Sequence, residues 1–158
     1  KKKTMLVLVN GTGPHEFTPE EIEAVAAYVR AGGVILFESP GGGASFTISA
    51  EAAMEATFGA PPMTLLSHPI VTGEDVPGGT SLASVEYRPL ALETFGARET
   101  LPRLRGITVD GEPRVLFSRE DLSFGWLDQP RWGIVGYATP SARALMGNIV
   151  RWAHGRRR

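Results

Sequence analysis

The stretch that decides the fold covers residues 4–37 and reads TMLVLVNGTGPHEFTPEEIEAVAAYVRAGGVILF. Residues 4–9 contain a short, continuous apolar run over residues 5–9, which is typical of a strand buried on both faces in a parallel sheet. Thr18 and Pro19 then supply a helix N-cap and a first helical position, and apolar residues follow at helical spacing. Because residues 34–37 form a second apolar run, the stretch predicts two fully buried neighbouring strands joined by a helix in a right-handed crossover.

The rest of the chain predicts a β-hairpin and further helices. Asp110-Gly111 separates two apolar segments and favours a two-residue turn with positive φ at both central positions. Residues 134–138 are predicted to form another short apolar strand, and Thr139 with Pro140 repeats the cap-plus-proline start of a helix. A middle helix is expected to begin at a Ser49 cap and to end at Gly59, before an irregular segment over residues 60–81.

Composition narrows the class of protein. The chain has 158 residues, 42% of them apolar and 21% charged, as expected for one globular α/β domain spanning residues 1–158. It contains no Cys, which excludes disulfides, thiolate metal sites and Cys nucleophiles, and fits any compartment. No apolar run approaches the roughly 18 residues of a membrane-spanning helix. No signal peptide is visible, and since the first residue is Lys, both a cytoplasmic location and export after removal of an upstream segment stay open.

Charge is concentrated at the two ends of the chain. Lys1–Lys3 and Arg156–Arg158 are all basic, and without these six residues 10 basic and 17 acidic residues remain, a net charge of −7. An acidic body argues against a nucleic-acid-binding face, which needs a basic stripe. The partners that stay open are a protein, a second copy of the chain and a small polar ligand.

The candidate site follows from the predicted sheet. In open α/β sheets, ligands bind beyond the carboxyl ends of the strands. Two such ends open the loops over residues 10–17 and 38–45, and residues 119–121 follow a later strand. We therefore expect these three segments to share one crevice. The candidate catalytic residues are His15, Glu38, Ser39 and Asp121. The candidate ligand-binding residues are Asn10, His15, Gly42, Gly43, His68 and Arg119.

Each candidate also has a purely structural interpretation. His15 is the one histidine in the group formed with Asn10, Glu38, Ser39, Gly42 and Asp121, and histidine is a common general base, but a loop histidine also commonly bonds to backbone. Ser39 stands where a nucleophile elbow would place a nucleophile, yet the G-x-S-x-G pattern is absent and Pro40 lacks the N–H that an oxyanion hole uses. Asp121 is equally suited to capping a short turn. Gly41–Gly43 could present N–H groups to an anion or simply form a tight connection.

Metal and cofactor sites are not predicted. His68 could join Glu38 or Asp121 in a metal site, but no helical H-x-x-x-H spacing supports it. No dinucleotide or phosphate-loop motif is present, so we expect no cofactor. Trp126 and Trp132 lie in a segment rich in Gly and Pro, where they could line a pocket, a partner surface or the edge of the core.

Several short motifs together resemble the bacterial family known as domain-of-unknown-function family 4159. They are residues 10–17 (NGTGPHEF), 31–33 (AGG), 42–46 (GGASF), 68–70 (HPI), 104–107 (LRGI), 121–123 (DLS), 125–126 (GW) and 147–150 (GNIV). Residues 68–73 (HPIVTG) also resemble a motif of the related trehalose-utilisation family. The resemblance implies a class I glutamine amidotransferase-like, flavodoxin-like three-layer sandwich with a mainly parallel sheet and a β-hairpin insertion.

Departures from the family pattern shape the functional expectation. The family often has acidic and Cys residues after the second strand, whereas this chain has Glu38-Ser39-Pro40. The family also usually has an upstream strand and helix, so the chain is expected to lack a first βα unit. We expect a non-catalytic ligand- or partner-binding module without glutaminase activity. The alternatives are a hydrolase or a carbohydrate-related enzyme with a site around His15 and Glu38.

Overall fold

The computed structural model describes residues 6–155, as five strands and six helices or helical turns. Thr4 and Met5 of the predicted first strand, and the basic ends of the chain, lie outside this range. The strands are β1 (Leu6–Asn10), β2 (Val34–Glu38), β3 (Met63–Thr64), β4 (Arg105–Val109) and β5 (Glu112–Ser118). The helices are α1 (Pro19–Arg30), α2 (Ser45–Phe58), α3 (Pro69–Thr72), α4 (Pro89–Phe95), α5 (Ser123–Trp126) and α6 (Thr139–Gly155). None of these helices is long and apolar enough to cross a bilayer.

The predicted strand–helix–strand unit is confirmed. β1 and β2 pair in parallel, with Leu6 opposite Val34 and Asn10 opposite Glu38. α1 begins with a capping box: the Thr18 hydroxyl accepts the Glu21 N–H, and the Glu21 carboxylate accepts the Thr18 N–H. Both bonds satisfy backbone donors that the first turn of a helix leaves free. The start of this helix is therefore determined by four consecutive residues.

The sheet is mixed, so the prediction of a mainly parallel sheet is wrong. Its strand order is β1-β2-β5-β4-β3, with β1, β2 and β5 parallel and β3 and β4 antiparallel. The hairpin at Asp110-Gly111 is confirmed, with φ of 51° and 79° at the two turn residues. A two-residue turn forces β4 to lie antiparallel beside β5. The hairpin is thus part of the central sheet and not an insertion into a parallel one.

The prediction that the first strand is fully buried is also wrong. Leu8 is 38% exposed, whereas all five residues of β2 are buried. Among the described strands β1 has one neighbour, β2, and lies at the sheet edge. The apolar cluster on the face of Leu8 reaches Leu6 but does not include Leu8. An unbroken apolar run does not distinguish such an edge strand from a central one.

Two hydrophobic clusters cover the two faces of the sheet. Because side chains alternate along a strand, Val34 and Leu36 of β2 enter one cluster, and Ile35 and Phe37 enter the other. The first, here called the α6 core, includes the buried face of α6. It contains Leu145, Ile149 and Trp152. The second, the α1–α2 core, contains Val29, Phe46, Ala50 and Met54.

Three local predictions are corrected by tertiary contacts. α2 begins at Ser45 and not after Ser49, whose hydroxyl donates to the Ser45 carbonyl inside the helix. Residues 60–81 contain β3, which pairs with β4, and the short helix α3. Residues 134–138 make only two isolated bridges, one from Gly136 to Asp121 and one from Tyr137 to Tyr87.

Candidate functional site

Three strand ends meet side by side at one edge of the sheet, as expected. Asn10 pairs in register with Glu38, and Glu38 pairs with Ser118. The chain connects further across this edge, because the Gly11 N–H donates to the Glu38 carbonyl and the Ser39 N–H to the Ser118 carbonyl. The residues that follow β1, β2 and β5 therefore form a continuous rim.

Glu38 is a buried carboxylate whose hydrogen-bonding capacity is taken up by the chain itself. It is 1% exposed, and its Oε1 accepts the N–H groups of Leu122 and Ser123 at 2.7 Å each. The Ser123 hydroxyl donates to Oε2. Burial raises the pKa of the Glu38 carboxyl, although these three donors act in the opposite direction. The carboxylate holds the start of α5 against the end of β2.

Asp121 makes the complementary set of bonds. Its Oδ2 accepts the Gly41 N–H at 2.9 Å, and its Oδ1 accepts the N–H groups of Phe124 and Gly125 at 3.1 and 3.3 Å. Burial raises the pKa of this carboxyl too. Asp121 thus caps the short helix α5 and connects it to the glycine loop, residues 41–43. Capping is the structural interpretation of Asp121 given in the sequence analysis.

Ser39 is enclosed between β2 and α2. It is 1% exposed, and its Oγ accepts the Thr47 N–H at 3.0 Å and lies 2.7 Å from the Thr47 hydroxyl. Thr47 in turn donates to the Ser118 carbonyl at 3.0 Å. Within the part of the chain that the structure describes, no histidine or carboxylate bonds to this hydroxyl, so Ser39 has the position of an elbow nucleophile without a base bonded to it that would activate it.

His15 belongs to a different surface. Its Nε2 lies 3.0 Å from Oε2 of Glu21, and its backbone N–H donates to the Ser49 hydroxyl. The ring packs edge-on against Phe17, with 4.6 Å between centroids. The Thr18 N–H and the His15 ring lower the pKa of Glu21. His15 and Asn10 line an open cleft of about 360 Å³, and neither Glu38 nor Asp121 lines it.

The sheet separates His15 from Glu38. Glu38 continues the row of Val34 and Leu36, so it lies on the face of the α6 core, where its partner Leu122 is also found. His15 packs on Phe17, which lies against the α1–α2 core. The rim brings the segments together, but side-chain alternation directs these two candidate groups to opposite faces.

The remaining sequence candidates have local structural roles. Gly42 lies against the backbone of Val135, leaving no space for a Cβ, whereas Gly43 has open space around it. The Nδ1 of His68 accepts the Ile70 N–H at 3.1 Å and caps α3, and its ring packs against Trp152. Within residues 6–155, no three His, Asp or Glu side chains are grouped as metal ligands.

Arg119 lies in an arginine–glutamate cluster that sequence reasoning missed. It binds the buried Glu51 through two nitrogens, with Nε 2.9 Å from Oε1. Arg105 contributes an Nε 3.5 Å from the same Oε1, and Arg103 donates to Oε1 of Glu120 at 2.8 Å. Two arginines two residues apart at the start of a predicted strand were the available signal. Their glutamate partners are remote in sequence, with Glu51 lying 68 positions from Arg119.

Buried carboxyls at this rim make folding stability depend on pH. Burial raises the pKa of Glu38, Glu120 and Asp121 in the folded chain. A raised folded-state pKa favours the fold while the group is protonated, and this contribution is lost as the pH rises through the folded value. We expect the free energy of unfolding to fall as the pH rises from about 4.5, the ordinary value for a glutamate.

Denaturant titrations at a series of pH values measure this dependence. Glu120→Gln is expected to flatten it, because the amide does not titrate, while the exposed Glu23→Gln is expected to leave it unchanged. A free energy of unfolding that rises with pH over this window in the unmodified chain contradicts the prediction.

The family of this chain is identified by comparison with known sequences. Comparison with curated proteins gives no match, and comparison with solved structures gives none either. The family described as Domain of unknown function (DUF4159) matches residues 4–153, and the chain therefore belongs to this family.

Proposed function

We propose that the chain is a non-catalytic binding module that recognises a protein partner. This proposal is supported by the hydrogen bonds that the candidate catalytic side chains already make within the fold. Glu38 and Asp121 bind backbone N–H groups, and the Ser39 hydroxyl is enclosed by Thr47. A general base needs to reach the group from which it takes a proton, and the side chain of His15 bonds to Glu21 and not to Ser39, Glu38 or Asp121.

The observation that carries the proposal is the exposure of Trp132, which is 98%. Trp132 borders an apolar cleft of about 300 Å³ between the start of α4 and the loop before residue 134. We call this the Trp132 surface. It comprises Arg88, Pro89, Leu90, Pro130, Arg131, Trp132, Gly133 and Ile134. Exposed Trp and Arg together are characteristic of the energetic centres of protein interfaces.

The loop that carries Trp132 is held in place by bonds to neighbouring elements. Arg88 donates through Nη2 to the Gln129 carbonyl at 3.1 Å, and its Nη1 lies 3.5 Å from the Arg131 carbonyl. The Thr139 hydroxyl donates to Asp128 at 3.0 Å. A loop that is already fixed by hydrogen bonds loses little conformational entropy when a partner binds, which favours binding.

Charge indicates the chemistry of the partner. Among residues 6–155, Arg88 and Arg131 are the charged residues that line the cleft, and no carboxylate of this part of the chain lines it. The Arg88 Nε is buried and has no hydrogen-bond partner among the same residues. These features favour a partner segment with an apolar side chain for the cleft and a neighbouring carboxylate for the arginines.

Selection from a random peptide library tests this function. The unmodified chain is expected to enrich peptides that place Asp or Glu beside an aromatic or aliphatic residue. Trp132→Ala is expected to weaken their binding by about 2 kcal/mol or more, roughly thirtyfold in Kd. Met63→Ala is the matched control, because Met63 is also exposed but lies on β3. Absence of enriched peptides, or equal binding by Trp132→Ala, overturns the proposal.

The non-catalytic part of the proposal has its own test. The purified chain is expected not to hydrolyse glutamine or activated esters, because Ser39 lacks an activating base and no Cys is present. Product formation is compared between the unmodified chain and Ser39→Ala. Turnover that disappears in Ser39→Ala while the variant remains folded contradicts the prediction.

We also infer a distant relation to the class I glutamine amidotransferase-like superfamily and its flavodoxin-like fold. Three parallel strands, β1, β2 and β5, support this inference, as do the apolar cores on both faces of the sheet. The position of Ser39 immediately after β2 is where such folds place a nucleophile. On this inference the domain keeps the scaffold of an enzyme and uses it for binding.

A further inference from the structure

The arginine–glutamate cluster lines a third cleft, distinct from the His15 cleft and from the Trp132 surface. This cleft has a volume of about 220 Å³ and lies where β5 ends and β4 begins. Its polar lining consists of Thr64, Glu99, Arg103, Arg105, Arg119 and Glu120, and Leu66 and Leu101 are among the apolar residues. The Nη1 of Arg103 lies 3.9 Å from Oε2 of Glu99, beyond hydrogen-bond distance. Because drug-sized ligands occupy roughly 300–1,000 Å³, this cleft fits a compact ligand.

The three guanidinium groups keep hydrogen-bond donors free for a ligand. Each arginine has five N–H donors. Arg119 uses Nε and Nη2 on Glu51, Arg105 uses Nη2 on the Pro62 carbonyl, and Arg103 uses Nε on Glu120. The other Nη groups of these residues donate no hydrogen bond within residues 6–155. A planar fork of free N–H groups is suited to a carboxylate.

Glu51 and Glu120 hold the arginines in place. Both are 5% exposed or less. Arg119 and Arg105 share Glu51, and Arg103 also stacks on Phe95, with its guanidinium carbon 4.2 Å from the ring centroid. Burying these carboxylates costs free energy that the ion pairs must offset. The cluster is therefore a built arrangement of side chains that are fixed before a ligand arrives.

Glu120 supplies a second observation at this cleft. It is 4% exposed, its Oε1 binds Arg103, and its Oε2 is buried with no hydrogen-bond partner within residues 6–155. Buried polar atoms are almost always paired. Since a carboxylate oxygen accepts hydrogen bonds, the missing partner is a donor such as a hydroxyl group.

We propose that this cleft binds a small hydroxy acid, whose carboxylate pairs with the arginines and whose hydroxyl donates to Oε2 of Glu120. The two halves of the ligand follow from two separate observations: the free Nη groups and the unpaired Oε2. The site differs from the Trp132 surface in position and in chemistry, so either one can fail without the other.

Three ligands of the same ring size separate the two contributions. D-glucuronate carries both a carboxylate and hydroxyl groups, cyclohexanecarboxylate carries only the carboxylate, and D-glucose carries only hydroxyl groups. Each is titrated into the ¹⁵N-labelled full chain, and backbone amide shifts are followed by NMR. We expect D-glucuronate to shift the amides of residues 103–105 and 119–121, cyclohexanecarboxylate to do so more weakly, and D-glucose to leave them unchanged.

Two conservative variants test the assigned roles. Arg119→Lys keeps the positive charge beside Glu51 but removes the planar guanidinium group with its paired N–H donors. We expect it to weaken the binding of D-glucuronate and of cyclohexanecarboxylate by about tenfold. Glu120→Gln is expected to weaken the binding of D-glucuronate only, so that this variant binds D-glucuronate no more tightly than cyclohexanecarboxylate. Arg114→Lys is the matched control, because Arg114 bonds to the Gly32 carbonyl outside the cleft.

The unmodified chain provides the decisive measurement, which does not depend on the folding of any variant. Absence of shifts at residues 103–105 and 119–121 with D-glucuronate overturns the proposal, as does an equal response to D-glucose. Shifts that persist unchanged in both folded variants, Arg119→Lys and Glu120→Gln, overturn it as well.

Discussion

Replacing Glu38 with alanine is expected to lower the free energy of unfolding by about 2–6 kcal/mol, because it leaves two backbone donors without an acceptor and each costs about 1–3 kcal/mol. These donors are the N–H groups of Leu122 and Ser123, both within 2.7 Å of Oε1. The Ser123 hydroxyl loses its acceptor as well. We expect α5 to detach locally from the end of β2, and the loss to be visible in chemical denaturation.

Two further variants separate hydrogen bonding from charge. Glu38→Gln retains a carbonyl oxygen that can accept the two backbone N–H groups, so we expect a clearly smaller loss than in Glu38→Ala. Glu23→Ala, at an exposed position of α1, is expected to stay within about 0.5 kcal/mol of the unmodified chain. If Glu38→Ala is as stable as Glu23→Ala, the structural role assigned to Glu38 is wrong.

The same argument explains why the sequence indicates the rim position of Glu38 but not its hydrogen-bond partners. The rim position of Glu38 follows from local signals, since β1, α1 and β2 are delimited by an apolar run, a capping box and a glycine pair. The hydrogen-bond partners of Glu38 do not follow from local signals, because Leu122 lies 84 residues further along the chain. A carboxylate at a strand end looks the same in sequence whether it faces substrate or backbone.

Contacts between residues that are far apart in the sequence also account for the other differences between the predictions and the structure. The direction of β4 follows from Asp110-Gly111, a local signal. Residues 134–138 instead bridge to Asp121 and Tyr87, which no pattern within this segment indicates. The exposure of Leu8 depends on the edge position of β1, which no residue within that strand encodes. The sequence indicates Arg119 as a rim residue, whereas its ion-pair partner Glu51 lies on α2, a different element of the fold.

The glycine loop after β2 allows a second large effect to be predicted from geometry. Gly42 has φ of 76°, and a Cβ built on it would overlap the carbonyl oxygen of Val135. The Val135 backbone cannot move freely, because its N–H donates to the Gly41 carbonyl at 3.0 Å. Overpacking costs about 1–3 kcal/mol, and the left-handed conformation adds about 1–2 kcal/mol for a residue with a Cβ. We expect Gly42→Ala to lose about 2–5 kcal/mol in the free energy of unfolding.

The two neighbouring glycines are internal controls for this prediction. Gly41 has φ of 84° but open space around it, so Gly41→Ala is expected to lose only the conformational part, about 1–2 kcal/mol. Gly43 lacks a positive φ, and the nearest atom to its added Cβ, the Thr12 carbonyl oxygen, is 3.9 Å away. Gly43→Ala is therefore expected to stay within about 0.5 kcal/mol of the unmodified chain.

The order of the three variants, measured by chemical denaturation, separates packing from ligand binding as the reason for these glycines. If the loop existed to present N–H groups to an anion, alanine at any of the three positions would affect binding, with no fixed order in stability. If Gly42 is required because Val135 lies against it, stability must fall in the order Gly43→Ala, Gly41→Ala, Gly42→Ala. Equal stability of Gly42→Ala and Gly43→Ala would refute the packing role, and the loop would again be a candidate for anion binding.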